Sequence, residues 1–327
     1  MANAFLKPTV IAATAVGLLY RELVVARTVW TDAINPNEFA GAFGDTVTMR
    51  VPARRSARTR VLRAGTAIVN DVSNEFGVDV KLTTDVYNGA PITDEELTLD
   101  IVDFGAQILM PQITAVAEGV EDAVVAEIEG ATYESAMTLN PDWSEFRVNG
   151  FTDWYRVANR ARRLLNDKFV PKAQRTLLVG SEVEEEILNS DRFTRNDNIG
   201  ESAEDALREA TIGRIAGFNV VPSAALEADE AYAYHRTAFV LAARAPLVPR
   251  GVAFGTQRSL SEGKQGGTAS VAGIGARWIM DYDYTNTTDR SLVNTWVGTE
   301  TVKDPITPSN PASSFRLDRA VKIANNS

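Results

Sequence analysis

The chain has 327 residues, a formal net charge of −10, no cysteine and a single histidine. Its length suits about two domains at roughly 100–200 residues each, and 45% hydrophobic with 23% charged residues is ordinary globular composition. The acidic balance argues against a dedicated nucleic-acid binder. The missing cysteines and paired histidines exclude disulfides, thiolate metal sites and a zinc pair, so neither a metal nor a cofactor is expected.

Residues 1–43 read as an arm with one helix. The apolar run Val10–Leu19 is shorter than the ~20 residues that span a bilayer, so no membrane role is expected. Val16, Leu19, Leu23 and Val24 recur at helical spacing, and Asn35-Pro36 ends the region.

Residues 44–91 read as an extended β-ribbon. Val47, Met49 and Val51 alternate with Thr46, Thr48 and Arg50. On the return limb, Phe76, Val78, Val80 and Leu82 alternate with Gly77, Asp79 and Lys81. Each limb reaches at most about 70 Å at ~3.3 Å per residue, more than the radius of a small domain. Arg54, Arg55, Arg58, Arg60 and Arg63 lie between the limbs. They have three readings: a phosphate patch acting against the net charge, a solvated turn, or a docking surface for carboxylates of a neighbouring subunit. The last suits the planar bidentate guanidinium best.

A helix is expected to start at Thr93, with Glu96 completing a capping box and Asp94 and Glu95 at the positive end of the dipole. Leu97, Ile101, Phe104 and Ile108 form one apolar stripe. Leu109, Ile113, Val116, Val120 and Val124 form a second, displaced in phase. Pro111 lies at the displacement, so the segment is a kinked rod of about 54 Å over 94–129 or two helices broken there.

Residues 138–250 read as a mixed α/β domain. Thr152 is placed as the cap of a helix carrying Trp154, Val157, Ala161 and Leu164–Leu165 on one face. Thr176–Val179 is a short buried strand, Ser181 and Glu184 suggest a second capping box, and Glu184–Glu186 reads as a solvated helix face. Leu207–Val221 reads as a helix-to-strand passage, and Tyr232–Ala242 as an apolar run around His235. In the last third, Trp278, Met280, Tyr282 and Tyr284 alternate with Arg277, Ile279, Asp281 and Asp283, with Leu292–Val302 as partner strand and Thr285–Arg290 as the polar turn. Gly263–Gly267 reads as a loop, and the tail after Pro305 as having little structure of its own.

No chemistry-bearing motif emerges. Gly273-Ile-Gly275 lacks a third glycine and opens no helix, and the Asp281–Asp289 run has Asn286 and Leu292 where a calcium loop needs glycine and glutamate. A Ser-His-Asp triad would have to run through His235 alone, and a lone histidine in an apolar run reads as a packed residue.

The order of these parts resembles the major capsid proteins of tailed phages with the Hong Kong 97-type fold, most closely the gene-5-type coat branch of short-tailed phages. The segments that carry the resemblance are Gly44–Pro52, Ile212–Ser223, Tyr234–Phe239 and Thr295–Gly298. It implies an α+β capsid fold: an N-terminal arm (1–43), an extended loop (44–91), a peripheral domain with a spine helix (92–137 and 251–327) and an axial domain (138–250). It also implies a non-enzymatic coat protein assembled in the host cytoplasm and resident in the virion. Its copies would form pentamers and hexamers of an icosahedral shell around DNA held without sequence-specific contact, with portal and scaffolding proteins as partners. Arg54–Arg63 would then lie near the loop tip and touch a neighbour. Two alternatives stand beside it: a nanocompartment shell of the same fold around a cargo enzyme, and a small-molecule enzyme with its α/β domain in 138–250.

Overall fold

The computed structural model describes residues 24–32, 46–51, 57–63, 65, 67–68, 76–96, 104–148, 151–190, 213–252, 254–259, 275–283, 285, 288–305 and 315–324. The expected N-terminal helix, the Gly263–Gly267 loop, Leu97, Ile101 and residues 207–212 lie outside them.

In chain order the strands are β1 (Thr46–Val51), β2 (Phe76–Lys81), β3 (Thr84–Thr93), β4 (Thr138–Leu139), β5 (Arg147–Val148), β6 (Phe151–Thr152), β7 (Arg175–Val179), β8 (Arg214–Ile215), β9 (Phe218–Pro222), β10 (Ala231–His235), β11 (Phe239–Arg244), β12 (Phe254–Ser259), β13 (Gly275–Asp283), β14 (Thr288–Thr301), β15 (Asp304–Pro305), β16 (Phe315–Arg316) and β17 (Ala320–Ile323). The α-helices are α1 (Met110–Gly130), α2 (Trp154–Asp167) and α3 (Ser181–Asn189).

Two sheets share α1. The first has strand order β4-β17-β10-β7-β9-β8. Its strands are buried on both faces: Leu177, Val179, Ala231, Ala233, Val321 and Ile323 point to α2 and α3, while Leu178, Tyr232, Tyr234 and Ala320 point to the core around α1. The second is built on β14. One edge of that strand pairs with β3 over Thr288–Val297; the other pairs with β13 over Thr288–Asn294 and then with β11 over Trp296–Thr301. Trp278, Val293 and Val297 face Ile113, Val116 and Val120 of α1. β13 and β14 pair as expected, with Trp278 and Met280 on the core side, but β14 already begins at Thr288, so the expected turn Thr285–Arg290 is shortened by the pairing of Thr288–Arg290.

The expected capping box is present at Thr93, with residues 97–103 outside the described residues. Thr93 N donates to Glu96 Oε2 at 3.0 Å, and Glu96 N donates to Thr93 Oγ1 at 3.2 Å. The phase slip between the apolar stripes is a π-helical turn, Gly105–Leu109, closed by Met110 N donating to Gly105 O. Pro111 has no N–H, and the wider turn absorbs one residue so that the chain continues helically. Leu109 (φ −71°, ψ −39°) and Met110 (φ −59°, ψ −52°) stay right-handed, so the helix is not broken there.

Several expectations are corrected. Asp153, not Thr152, caps α2, accepting from Arg156 N at 3.4 Å. Ser181 forms no capping box. The first amides of α3 are instead met by a carbonyl from a distant loop, with Glu182 N donating to Ala228 O at 3.0 Å. That approach needs Gly180, where a Cβ would stand 2.1 Å from Glu227 O. The described part of Leu207–Val221 is a hairpin, not a helix-to-strand passage: Ala216 (φ 49°) and Gly217 (φ 90°) form a two-residue turn joining β8 to β9. The tail after Pro305 supplies β17, which lies between β4 and β10 with Ala320, Val321 and Ile323 fully buried. Chain segments on both sides of residue 250 enter each sheet: β11 pairs with β14, and β17 with β10.

Candidate assembly surface

The ribbon base is antiparallel, with Thr46 opposite Lys81 and Val51 opposite Phe76. Alternation gives it an inner and an outer face. Met49, Val78 and Val80 pack on Val240, Ala242 and Val302, on the face of the β14 sheet opposite α1. Thr48, Arg50, Asp79 and Lys81 face outward, and Thr48 Oγ1 donates to Asp79 Oδ1 at 2.5 Å. Where the chain leaves the ribbon it passes directly over Gly298: Thr83 N donates to Val297 O at 3.2 Å, and a Cβ on Gly298 would lie 2.2 Å from Lys81 O. Glycine at 298 lets the ribbon exit seat on the sheet.

Beyond the base, residues 57–63 are exposed throughout. Arg58, Arg60 and Arg63 are among them; Arg54 and Arg55 lie outside the described residues. Arg63 takes a left-handed conformation (φ 65°), followed by Gly65 (φ 64°). The arginines are not alone: Val61 is 76% exposed, Leu62 85% and Ile68 71%. Sequence reasoning attended to the charges and missed these aliphatics, although Val61-Leu62 sits between Arg60 and Arg63. Exposed aliphatic side chains interleaved with guanidinium groups make a surface that gains by being covered, since arginine and apolar groups are enriched where proteins meet.

The segment before the ribbon is tied down. Val25 N donates to Glu121 Oε1 of α1 at 2.9 Å, and Val24 N donates to the same atom. Trp30 adds to the β11 edge, its N–H donating to Phe239 O at 3.0 Å and its carbonyl accepting from Leu241 N at 3.2 Å. Asp32 pairs with Arg236 at 2.8 Å.

His235 lies where the chain leaves one sheet for the other. Its Nδ1 accepts from Thr237 N at 3.2 Å, and Arg319 Nη1 donates to Thr237 Oγ1 at 3.0 Å. Arg319 is held by Asp304 through two contacts of 2.7 and 2.6 Å. Burial, then the Arg319 and Arg175 guanidinium groups, push the imidazole below its ordinary value of 6.5; a backbone hydrogen bond at Ala173 opposes them. These neighbours make a polar joint between the sheets: among the described residues no serine is hydrogen-bonded to the ring, and the nearby carboxylate of Asp304 is engaged by Arg319. No helix among the described residues is long and apolar enough to cross a membrane.

No protein-family model matches the chain, and no curated protein matches it in sequence. Solved structures do match in fold. A structure from Mycobacterium phage Che8 has TM-score 0.58 at 15% identity, covering 92% of this chain and 90% of the other. The capsid of cyanophage P-SCSP1u has TM-score 0.58 at 11% identity, covering 91% and 86%. The capsid of a native GTA particle has TM-score 0.57 at 7% identity, covering 100% and 93%. The fold is that of shell-forming capsid structures. In particular, the chain shares it with the capsids of cyanophage P-SCSP1u and of the GTA particle.

Proposed function

We propose that the chain is the major capsid (coat) protein of a tailed phage and builds, with copies of itself, the icosahedral shell around the genome. The agreement in fold with phage capsids over nearly the whole chain carries this reading. In it, the β1–β2 ribbon is the base of the extended loop, and the helix running into α1 is the spine. The β14 sheet is the peripheral domain, and the sheet holding β10, with α2 and α3, is the axial domain. The exposed tip bearing Arg58, Arg60, Arg63, Val61 and Leu62 lies on an adjacent subunit, as would Arg54 and Arg55. Pentamers and hexamers close the shell, and portal and scaffolding proteins assist in the host cytoplasm. The net charge of −10 fits a wall that does not grip packaged DNA.

The test is direct. The expressed chain, followed by size-exclusion chromatography and negative-stain electron microscopy, is expected to form closed particles, tubes or sheets, alone or with its scaffolding partner. A discrete monomer or dimer under both conditions would overturn the reading. Particles filled with one enzyme instead of a genome would favour the nanocompartment alternative.

A further inference from the structure

The outer face of the six-stranded sheet carries two helices of opposite charge. α2 bears Arg156, Arg160, Arg162 and Arg163; α3 bears Glu182, Glu184, Glu185 and Glu186. Both cover the same face, since Val157, Ala161 and Leu165 of α2 and Val183 and Ile187 of α3 enter one core with Leu177 and Ala233.

The charges point away from each other. At 3.6 residues per turn, Arg156, Arg160 and Arg163 share one flank of α2 and Arg162 falls on the other. Arg162 approaches the β8–β9 turn, its guanidinium 3.9 Å from where a Cβ on Gly217 would stand. The three-arginine flank therefore faces the opposite side of the sheet, where Arg156 Nη1 reaches Glu145 O at 3.5 Å. On α3, Glu186 turns toward α2 and accepts from Trp154 Nε1 at 2.7 Å. Glu184 and Glu185, two residues and one residue earlier, fall on the far side and the outer surface.

Among the described residues these charges are poorly matched: Arg163 reaches Asp167 at 3.6 Å, well exposed, and Arg156 reaches Asp153 at 3.3 Å. Arg160 makes no ion pair among the described residues, and its Nε is shielded from solvent without a hydrogen-bond partner. Glu184 and Glu185 make no ion pair among them either.

We infer that the Arg156–Arg160–Arg163 flank of one copy docks on the Glu184–Glu185 flank of the next, head to tail, as the contact that closes rings of subunits in the shell. The inference rests on the capsid reading above. Two different patches on one molecule define a heterologous contact, which yields a ring when the rotation closes. Opposite charges fix its register and penalise like against like. A polyanion such as DNA is a poor occupant of this basic flank, because the acidic helix shares the same face and would repel phosphates.

The test uses three full-length chains. The first carries Arg156→Glu, Arg160→Glu and Arg163→Glu; the second carries Glu184→Arg and Glu185→Arg; the third carries all five. Circular dichroism and thermal melts confirm that each is folded. Each of the first two chains alone is expected to lose at least tenfold in assembled material, while the third recovers it. A 1:1 mixture of the first two also assembles, because alternating copies restore opposite charge at every contact in an even-membered ring. An odd ring cannot alternate, so the mixture is expected to give tubes or open sheets instead of closed shells. Wild-type-like shells from either reversed chain would overturn the docking assignment while leaving the capsid reading intact. Failure of the five-fold variant and the mixture to assemble, with all chains folded, would overturn it too. Absence of any assembly by the wild-type chain would instead sink the capsid reading, and this inference with it.

Discussion

At the scale of single residues, His235 and Gly298 each hold a joint. The Nδ1 of His235 accepts the Thr237 amide, and burial with the Arg319 and Arg175 guanidinium groups favours the neutral ring. Its folded-state value lies below the ordinary 6.5, so between the two values the unfolded chain binds more protons. The stability this group contributes is complete above 6.5 and is lost as pH falls from there toward the folded value. His235→Asn keeps an acceptor near the Nδ1 position but cannot titrate. Thermal melts should show wild type more stable than this variant at about pH 8, with the gap narrowing below about pH 6.5. A gap independent of pH would show that the imidazole is not held neutral. For Gly298→Ala, a methyl 2.2 Å from the Lys81 carbonyl oxygen must displace the ribbon exit. The expected loss is about 1–3 kcal/mol, measured by denaturant unfolding, with the ribbon base more accessible to hydrogen exchange.

At the scale of elements, local signals were legible and distant ones were not. The Thr93–Glu96 box was readable because both partners lie within one turn. The α3 amides are satisfied by Ala228, far along the chain, so the Ser181–Glu184 pattern pointed to a box that the fold does not need. The π-turn showed in sequence only as a phase slip, for which Pro111 offered two explanations. β17 was illegible because four residues carry no period of their own; only pairing with β10 and β4 makes them a strand. The ribbon's alternation was plain, but the aliphatic exposure of its tip depends on what the rest of the chain leaves uncovered. Since Val321 is fully buried in β17, Val321→Asp should lose more than about 4 kcal/mol and leave little folded protein in solubility and circular-dichroism assays. A soluble, cooperatively melting variant would show that β17 is dispensable.

At the scale of the whole molecule, one helix serves two sheets. Residues of α1 pack against both, while His235, Thr237, Arg319 and Asp304 join the sheets at their edge. This design leaves the ribbon tip free of duties in the subunit core. Val61→Asp with Leu62→Asp should leave the melting temperature of the subunit within about 2 °C of wild type, since exposed substitutions change stability by within ±0.5 kcal/mol. Particle yield in sedimentation assays should fall sharply. Unchanged particles would mean that the tip is only a solvated turn.

The placement of β17 also sets an order in time. The strand from residues 320–323 fills the gap between strands made from residues 138–139 and 231–234, so the sheet cannot close while a ribosome is still short of residue 323. About 85 residues separate β10 from β17, and at about 5–20 residues per second the half-built sheet waits several seconds or more. A nascent or prematurely terminated chain therefore lacks the finished face that carries α2 and α3. Under the proposed capsid function, the fold itself would keep incomplete translation products out of a growing lattice.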